Sequence, residues 1–363
     1  EEYEKALFYL EYYADRTNKL REEEFYQLGY TQYKTKNYNK AIQNLEQLSD
    51  VESALGQNAM YVLGVSYLKL NKKTSAQTAF ATARRMNYDP VIKEESNFNY
   101  AKLAYELGSP REAISALQSI EPSSRYYPDA QTIMSEIFVN YRDYKQAIEI
   151  IENMPSKTPQ IRESYQKVTF YRGLQLLQNG DEKAAEDHFN KSLEFPIDLE
   201  TKALSIYWLA DLAHRDEDYN KSIRLMNQYL TLAKTLTNLP DESSIFAGNY
   251  IMGYNYLKQK NYPSAYAYFK ETVDGIKRNR SFIRSEKLTN EVLGDAIMRA
   301  GDCLFKRNKY SSAVALYDEA INRRYTGYVY AIYQKAIIEG LLGQQTDKII
   351  ALERIPRELT NKE

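Results

Sequence analysis

Small and large apolar residues recur along the chain at fixed spacing. A small residue is followed twelve positions later by Ala or Ser, and sixteen positions later by a large apolar side chain. The first column runs Gly29, Gly64, Ala101, Ser135, Gly173, Ala210, Gly253, Gly301 and Ala336. The second reads Ala41, Ala76, Ala113, Ala147, Ala185, Ser222, Ala265 and Ala313, broken only by Lys348. The third is Leu45, Phe80, Leu117, Ile151, Phe189, Met226, Phe269, Tyr317 and Leu352. Nine positions after the first column stand Tyr38, Tyr144, Tyr219, Tyr262 and Tyr310. Successive repeats are 35, 37, 34, 38, 37, 43, 48 and 35 residues apart.

This spacing predicts helical hairpins. Twelve residues leave about seven to finish one helix, then a tight turn and the opening of a second helix. The two small columns are expected to face each other where the helices come closest, since larger side chains there would overpack by ~1–3 kcal/mol. The third column is expected to fill the space between one pair and the next, so that stacking is obligatory. Asn37, Ser109, Asp143, Asp181, Asp218 and Asn261 stand where N-caps of the second helices belong. Pro110 fits the first helical position. Pro90, Pro122, Pro155 and Pro196 read as breakers that end units.

These columns resemble the tetratricopeptide repeat, a helix–turn–helix unit of about 34 residues, over nearly the whole chain. The resemblance implies an all-α fold, a right-handed superhelical solenoid of about nine helical pairs plus a leading half-repeat. It also implies a concave wall, lined by the first helices, that binds ligands. On this reading residues 1–363 form one array: a half-repeat over 1–21, six repeats over 22–240, and three with longer connections over 241–363. Tyr3, Ala6 and Leu10 match the spacing of Tyr38, Ala41 and Leu45. Residues 1–15 therefore read either as the second helix of a unit cut from a longer protein or as a natural cap. The last pair is expected to stop at Ile355–Pro356, before a polar tail over Arg357–Glu363.

Composition narrows the function. With 48 Lys+Arg against 49 Asp+Glu, the net charge of −1 argues against a broad grip on nucleic acid or an anionic membrane. No apolar run reaches the ~18 residues of a membrane span. Two His and one Cys leave no disulfide framework and almost no room for a Cys/His metal cluster. The first 15 residues lack the basic and apolar regions of a secretion signal, which does not place the protein in the cytoplasm. Tyr is abundant, at 34 against 12 Phe and one Trp, so most aromatic surface carries a hydroxyl.

No phosphate loop, dinucleotide fingerprint, HExxH or Gly-x-Ser-x-Gly pattern is present. Cys303 lacks a nearby His and reads as a buried small hydrophobe. His188 reads as surface or interhelical filling. His214 could pair with Asp211 on one helical face, but a hydrogen bond at the groove edge fits it better. Glu22, Glu23 and Glu24 suit a helix start. The long connections over Thr235–Ser244 and Gly275–Glu291 stand out, and the second holds Lys277, Arg278, Arg280, Arg284 and Lys287. That run reads either as a docking patch or as the solvated face of a lengthened helix.

Helical phase picks out the expected inner wall. Three positions before the first column lie Tyr26, Tyr61, Phe98, Thr132, Phe170, Tyr207, Tyr250, Met298 and Tyr333. One after it adds Tyr30 and Tyr254, and four after adds Tyr33, Tyr105, His214 and Phe305. Lys34, Lys69, Lys258 and Lys306 fall at the rim. Rigid rings with hydroxyls make good anchors for a partner, although the same rings could pack between neighbouring first helices. The clamp of Lys and Asn with which some tetratricopeptide co-chaperones hold a carboxylate tail is not matched, since no repeat supplies the Asn.

The expected function is thus a non-catalytic scaffold, without cofactor or metal, that binds an extended peptide or a partner's helix in a Tyr-lined groove. The alternative is a glycan-binding or cell-envelope assembly module, because Tyr faces also stack on sugars. An enzymatic role would need flanking sequence. The Tyr- and Asn-rich usage resembles envelope tetratricopeptide proteins of Bacteroidetes-type bacteria, which implies the periplasm.

Overall fold

The computed structural model describes residues 2–360. Its regular structure is helical, with no strand among the described residues. Helix α1 (Glu2–Ala14) comes first, and nine helix pairs follow. They are α2 (Glu22–Lys34) with α3 (Tyr38–Leu45), α4 (Ala54–Lys69) with α5 (Lys73–Arg85), and α6 (Pro90–Glu106) with α7 (Pro110–Gln118). Next come α8 (Tyr127–Asn140) with α9 (Tyr144–Glu152), α10 (Pro159–Gln178) with α11 (Glu182–Ser192), and α12 (Leu199–Arg215) with α13 (Tyr219–Ala233). The last are α14 (Ile245–Lys258) with α15 (Tyr262–Arg278), α16 (Leu293–Lys306) with α17 (Tyr310–Arg323), and α18 (Tyr328–Leu341) with α19 (Gln345–Thr360).

Three residues join the helices of every pair, and the middle one always takes the left-handed conformation. These residues are Lys36, Asn71, Gly108, Arg142, Gly180, Glu217, Lys260, Asn308 and Gly343, with φ between 55° and 84°. In most of these turns the next N–H reaches back five residues to a carbonyl of the first helix. Asn37 N–H donates to Gln32 O at 2.7 Å, Ser109 to Ala104 O at 2.7 Å, and Asp181 to Leu176 O at 2.9 Å. That closure satisfies a carbonyl the helix end would otherwise leave unpaired. Only three of the nine positions are Gly, so residue identity alone conceals the rule.

The second helices start as their caps direct. Asp143, Asp181, Asp218 and Asn261 accept from the backbone N–H three residues on, at 3.3, 3.1, 3.0 and 3.2 Å. Asn37 and Ser109 hold the cap position without a side-chain bond. Pro110 opens α7, as expected. Pro90 opens α6 rather than closing a unit.

Packing corrects the expected role of the columns. A Cβ on Gly64 would lie 2.8 Å from the Phe80 ring, one on Gly253 2.7 Å from Phe269, and one on Gly301 2.7 Å from Tyr317. The large third-column side chain therefore sits directly on the glycine of its own pair. The first column is small because a ring or branched side chain occupies the space above it, not because Ala faces it. Phe80, Phe189, Phe269 and Tyr317 are fully buried.

The chain forms two compact units, Glu1–Ser164 and Tyr165–Glu363, with the division inside α10. In the first unit Leu45, Phe80, Leu117 and Ile151 form successive layers of the core. In the second, Met226, Phe269 and Tyr317 belong to one continuous buried cluster.

Both long connections lie in the second unit and are laced together. The first contains a turn of 3₁₀ helix at Asp241–Ser243. Asp241 Oδ2 accepts from the N–H groups of Arg284 and Ser285 in the second, each at 2.8 Å. The second connection then becomes a π-helical turn, Lys287–Val292, that runs into α16. At the other end α19 continues through Pro356 to Thr360 instead of stopping there. Glu358 secures this last turn, accepting from Tyr328 Oη at 2.6 Å and Arg354 Nε at 2.9 Å. Residues 361–363 of the expected polar tail lie outside the described residues.

Candidate functional site

The column three positions before each small residue works largely between neighbouring repeats. Tyr26 Oη donates to Asn58 Oδ1 of the next first helix at 2.9 Å. Tyr61 is hydrogen-bonded to Glu95 in the same way. Tyr250 Oη donates to Asp295 Oδ2 at 2.8 Å. Tyr207 Oη finds a backbone carbonyl, Glu242 O, at 2.7 Å. Phe98, without a hydroxyl, stacks on Tyr126 with ring centroids 4.8 Å apart. Burial follows this pattern: Phe98, Phe170 and Tyr207 are core residues, Tyr26, Tyr61 and Tyr250 are half-buried, and Tyr333 is 49% exposed.

The remaining predicted residues fall into two groups. In the first unit Tyr26, Tyr30 and Tyr33 form a run of neighbouring rings joined by Tyr3 of α1. Lys34 Nζ lies 5.2 Å from the centre of the Tyr30 ring. Tyr105 is half-buried, near Asn140. Lys69 and Lys258 are exposed, as is Lys306, whose Nζ is 5.8 Å from the Phe305 ring.

In the second unit several predicted residues converge. A cavity of 420 Å³ is lined by Tyr207, Trp208, Asp211, His214 and Arg215 of α12, and by Tyr250 and Tyr254 of α14. The irregular connection closes it with Ser285, Lys287, Leu288 and Val292, so the π-helical turn forms one wall. Such turns are frequent at functional sites. A larger cavity of 660 Å³ between α7, α8 and α9 is lined by none of the predicted groove residues.

The polar groups of the smaller cavity are ordered. Asp211 pairs with Arg215 at 2.6 Å, not with His214. Burial raises the Asp211 carboxyl above its ordinary range, and Arg215 only partly offsets that. His214 Nδ1 lies 2.7 Å from Asn255 Oδ1, which fixes the ring against α14. Trp208, not singled out by the sequence, meets Tyr207 edge-on at 5.2 Å. Its signal was its uniqueness in a chain rich in Tyr.

Behind this wall lies a partly buried network that sequence reasoning missed. Tyr250 and Tyr254 both donate to Asp295 Oδ2. Arg299 links Asp295 at 3.2 Å to Asp302 at 2.5 Å. Tyr317 and Tyr330 donate to Asp302 Oδ1 at 2.7 and 3.0 Å. Burial works against the charge on Arg299, but Asp302 and Asp295 outweigh it and hold the guanidinium charged. Burial, and then Asp295, push both phenols well up, so they remain donors at neutral pH. The network fixes the rings that line the cavity. The spacing of Asp295, Arg299 and Asp302 on one helix was its only trace in the sequence.

The residues weighed for chemistry have structural surroundings. Cys303 is fully buried, and burial pushes its thiol up to about 12. His188 Nδ1 lies 2.8 Å from Ala184 O in its own helix. Among the described residues no group of His, Cys, Asp and Glu could hold a metal ion, and no helix is long and apolar enough to cross a membrane.

Residues 19–154 match the family model described as the ARM repeat of tetratricopeptide repeat protein 21. Residues 295–324, the α16–α17 pair, match a tetratricopeptide repeat model. The chain thus resembles tetratricopeptide-repeat proteins in both stretches. Repeats of this family commonly mediate protein–protein interactions. No curated protein matches the chain in sequence.

Several solved tetratricopeptide-repeat structures share the helical-repeat fold at low identity. The C-terminal part of a tetratricopeptide repeat-containing protein from Cytophaga hutchinsonii is 18% identical, with a TM-score of 0.39 over 73% of this chain and 98% of that one. A signal transduction ATPase from Pyrococcus horikoshii with a tetratricopeptide repeat sensor is 14% identical, with a TM-score of 0.46 over 94% of this chain and 53% of that one. The yeast Sti1 repeat domain in complex with an Hsp90 peptide is 11% identical, with a TM-score of 0.37 over 76% and 98%.

Proposed function

We propose that the protein is an interaction scaffold that seats an extended peptide, or a helix of a partner, on the aromatic cavity of its second unit. The observation that carries this reading is the convergence of Trp208, Tyr250 and Tyr254 with the π-helical turn around 420 Å³ of open space. That volume lies within the ~300–1,000 Å³ of ligand clefts and suits one or two side chains of a partner. Tyr250 and Tyr254 are held by Asp295, so little ring freedom is lost on binding. Asp211 is already paired with Arg215, which favours an apolar or aromatic anchor over a charged one.

The test is site-specific photocrosslinking. A photoreactive residue at Lys287, on the cavity wall, should trap a partner that the same residue at exposed Lys93 does not. Trp208→Ala should abolish that trapping while the circular dichroism spectrum is unchanged. Equal trapping from both positions, or trapping that survives Trp208→Ala, would reject the cavity as the seat.

A further inference from the structure

The second unit holds another cavity, of 710 Å³, which shares no lining residue with the aromatic one. Its rim gathers Lys277 from the last turn of α15, Arg280 from the long connection, Arg323 from the end of α17, and Arg324 just after it. Asn290 of the π-helical turn and a single carboxylate, Glu319, complete the charged and amide lining. Four cations thus stand against one carboxylate in a chain whose overall charge is −1.

The cations are poorly compensated by the protein itself. Glu319 is taken by Lys277 at 2.5 Å. Arg280 Nη1 donates only to a carbonyl, Thr289 O, at 3.4 Å. Arg324 is 3.9 Å from Glu358, whose carboxylate is already held by Tyr328 and Arg354. Arg323 has no carboxylate within ion-pair distance among the described residues and is exposed.

The helix C-termini account for the placement of Lys277 and Arg323, because cations there complement the helix dipole. They do not account for Arg280, which lies beyond α15. Arg324 is the left-handed C-cap of α17, at φ 51°, and the N–H of Tyr325 closes back on Ala320 O at 3.2 Å as in the intra-pair turns.

We propose that this cavity docks an acidic segment of a protein partner, whose clustered carboxylates pair with Arg280, Arg323, Arg324 and Lys277. Planar guanidinium groups match carboxylates in bidentate fashion. The cavity is far larger than one small anion needs, and its cations come from three separate segments. A nucleic acid would instead call for a basic surface extending well beyond one cavity.

The experiment uses the full chain and a fluorescein-labelled hexaglutamate peptide, read by anisotropy at low and at physiological salt. The wild-type protein should bind hexaglutamate, more weakly as salt rises, and should ignore hexalysine. Arg280→Gln with Arg323→Gln should weaken binding by about tenfold or more, whereas Arg280→Lys with Arg323→Lys should retain most of it. Both positions are exposed, so an unchanged melting curve is expected and checks the fold. No binding, unchanged affinity in the Gln pair, or tighter binding of a single-stranded oligonucleotide of equal charge would overturn the proposal. Trp208→Ala should leave hexaglutamate binding unaltered, which separates this site from the aromatic cavity.

Discussion

Gly301 and Gly253 occupy the same column, and each lies beneath a fully buried aromatic ring. Replacing either with Ala puts a methyl group 2.7 Å from that ring. The overpacking costs ~1–3 kcal/mol, offset by ~1 kcal/mol of gained helix propensity. At Gly253 the ring is Phe269, which carries no polar anchor, so it can shift and the net cost should be ~0–2 kcal/mol. At Gly301 the ring is Tyr317, whose hydroxyl donates to Asp302 at 2.7 Å inside the partly buried network. Moving that ring stretches a bond to a charged acceptor and adds ~1.5–3 kcal/mol. Gly301→Ala should therefore destabilise more than Gly253→Ala by about that increment. Urea unfolding gives the totals. Amide hydrogen exchange in α16 and α17 gives the local share, which matters because repeat arrays can depart from two-state behaviour. The decisive measurement is a double-mutant cycle. In a Tyr317→Phe background the cost of Gly301→Ala should drop to that of Gly253→Ala. Equal costs in the wild-type background, or a cycle without coupling, would refute the anchored-ring argument.

Other outcomes follow from the same geometry. Glu217→Gly should stabilise by ~0.5–1 kcal/mol in thermal melts, since relief of left-handed strain exceeds the entropy Gly adds to the unfolded chain, while Gly180→Ala should destabilise. Tyr26→Phe should cost ~0.5–1.5 kcal/mol through the lost bond to Asn58, whereas exposed Tyr333→Phe should be neutral. Asp211 gives a signed pH effect. Its folded carboxyl is raised by burial, so the unfolded chain releases that proton first. The native state therefore loses stability as pH climbs from the ordinary carboxylate range to the raised value, and the loss persists above it. Melting temperature against pH should fall across that window relative to Asp211→Asn, which keeps the Arg215–Glu182 pair. Parallel profiles would contradict the assignment.

Much of the fold was legible because tight packing leaves few choices of residue. Glycine beneath Phe80, Phe269 or Tyr317 is forced by the ring above it, so the column survives in the sequence. The caps at Asp143, Asp181, Asp218 and Asn261 were equally visible, since in each a side-chain oxygen accepts from the opening turn of the second helix. The turns were not. Lys36, Arg142, Glu217 and Lys260 take a glycine-like conformation at a tolerable cost, so nothing in their chemistry announces it. The candidate site was half legible: helical phase found Tyr207, Tyr250, Tyr254 and His214. It could not say that Phe98, Phe170 and Tyr207 turn into the core, because phase gives a direction without saying what lies there. The π-helical wall and the Arg299 network arise from tertiary packing, which periodicity does not record.

The phenol bonds between neighbours also make the order of the repeats matter. Tyr26, Tyr61 and Tyr250 meet Asn58, Glu95 and Asp295, each six positions before the small residue of the following unit. Phe170, which has nothing to donate, shares a buried cluster with Leu204 at the same station. Shuffled, the modules would no longer match. A first repeat spliced directly onto the sixth would aim the Tyr26 hydroxyl at Leu204 and strand it. Module swapping in this protein should therefore succeed between joints of like polarity and fail across unlike ones, however well the helices themselves align.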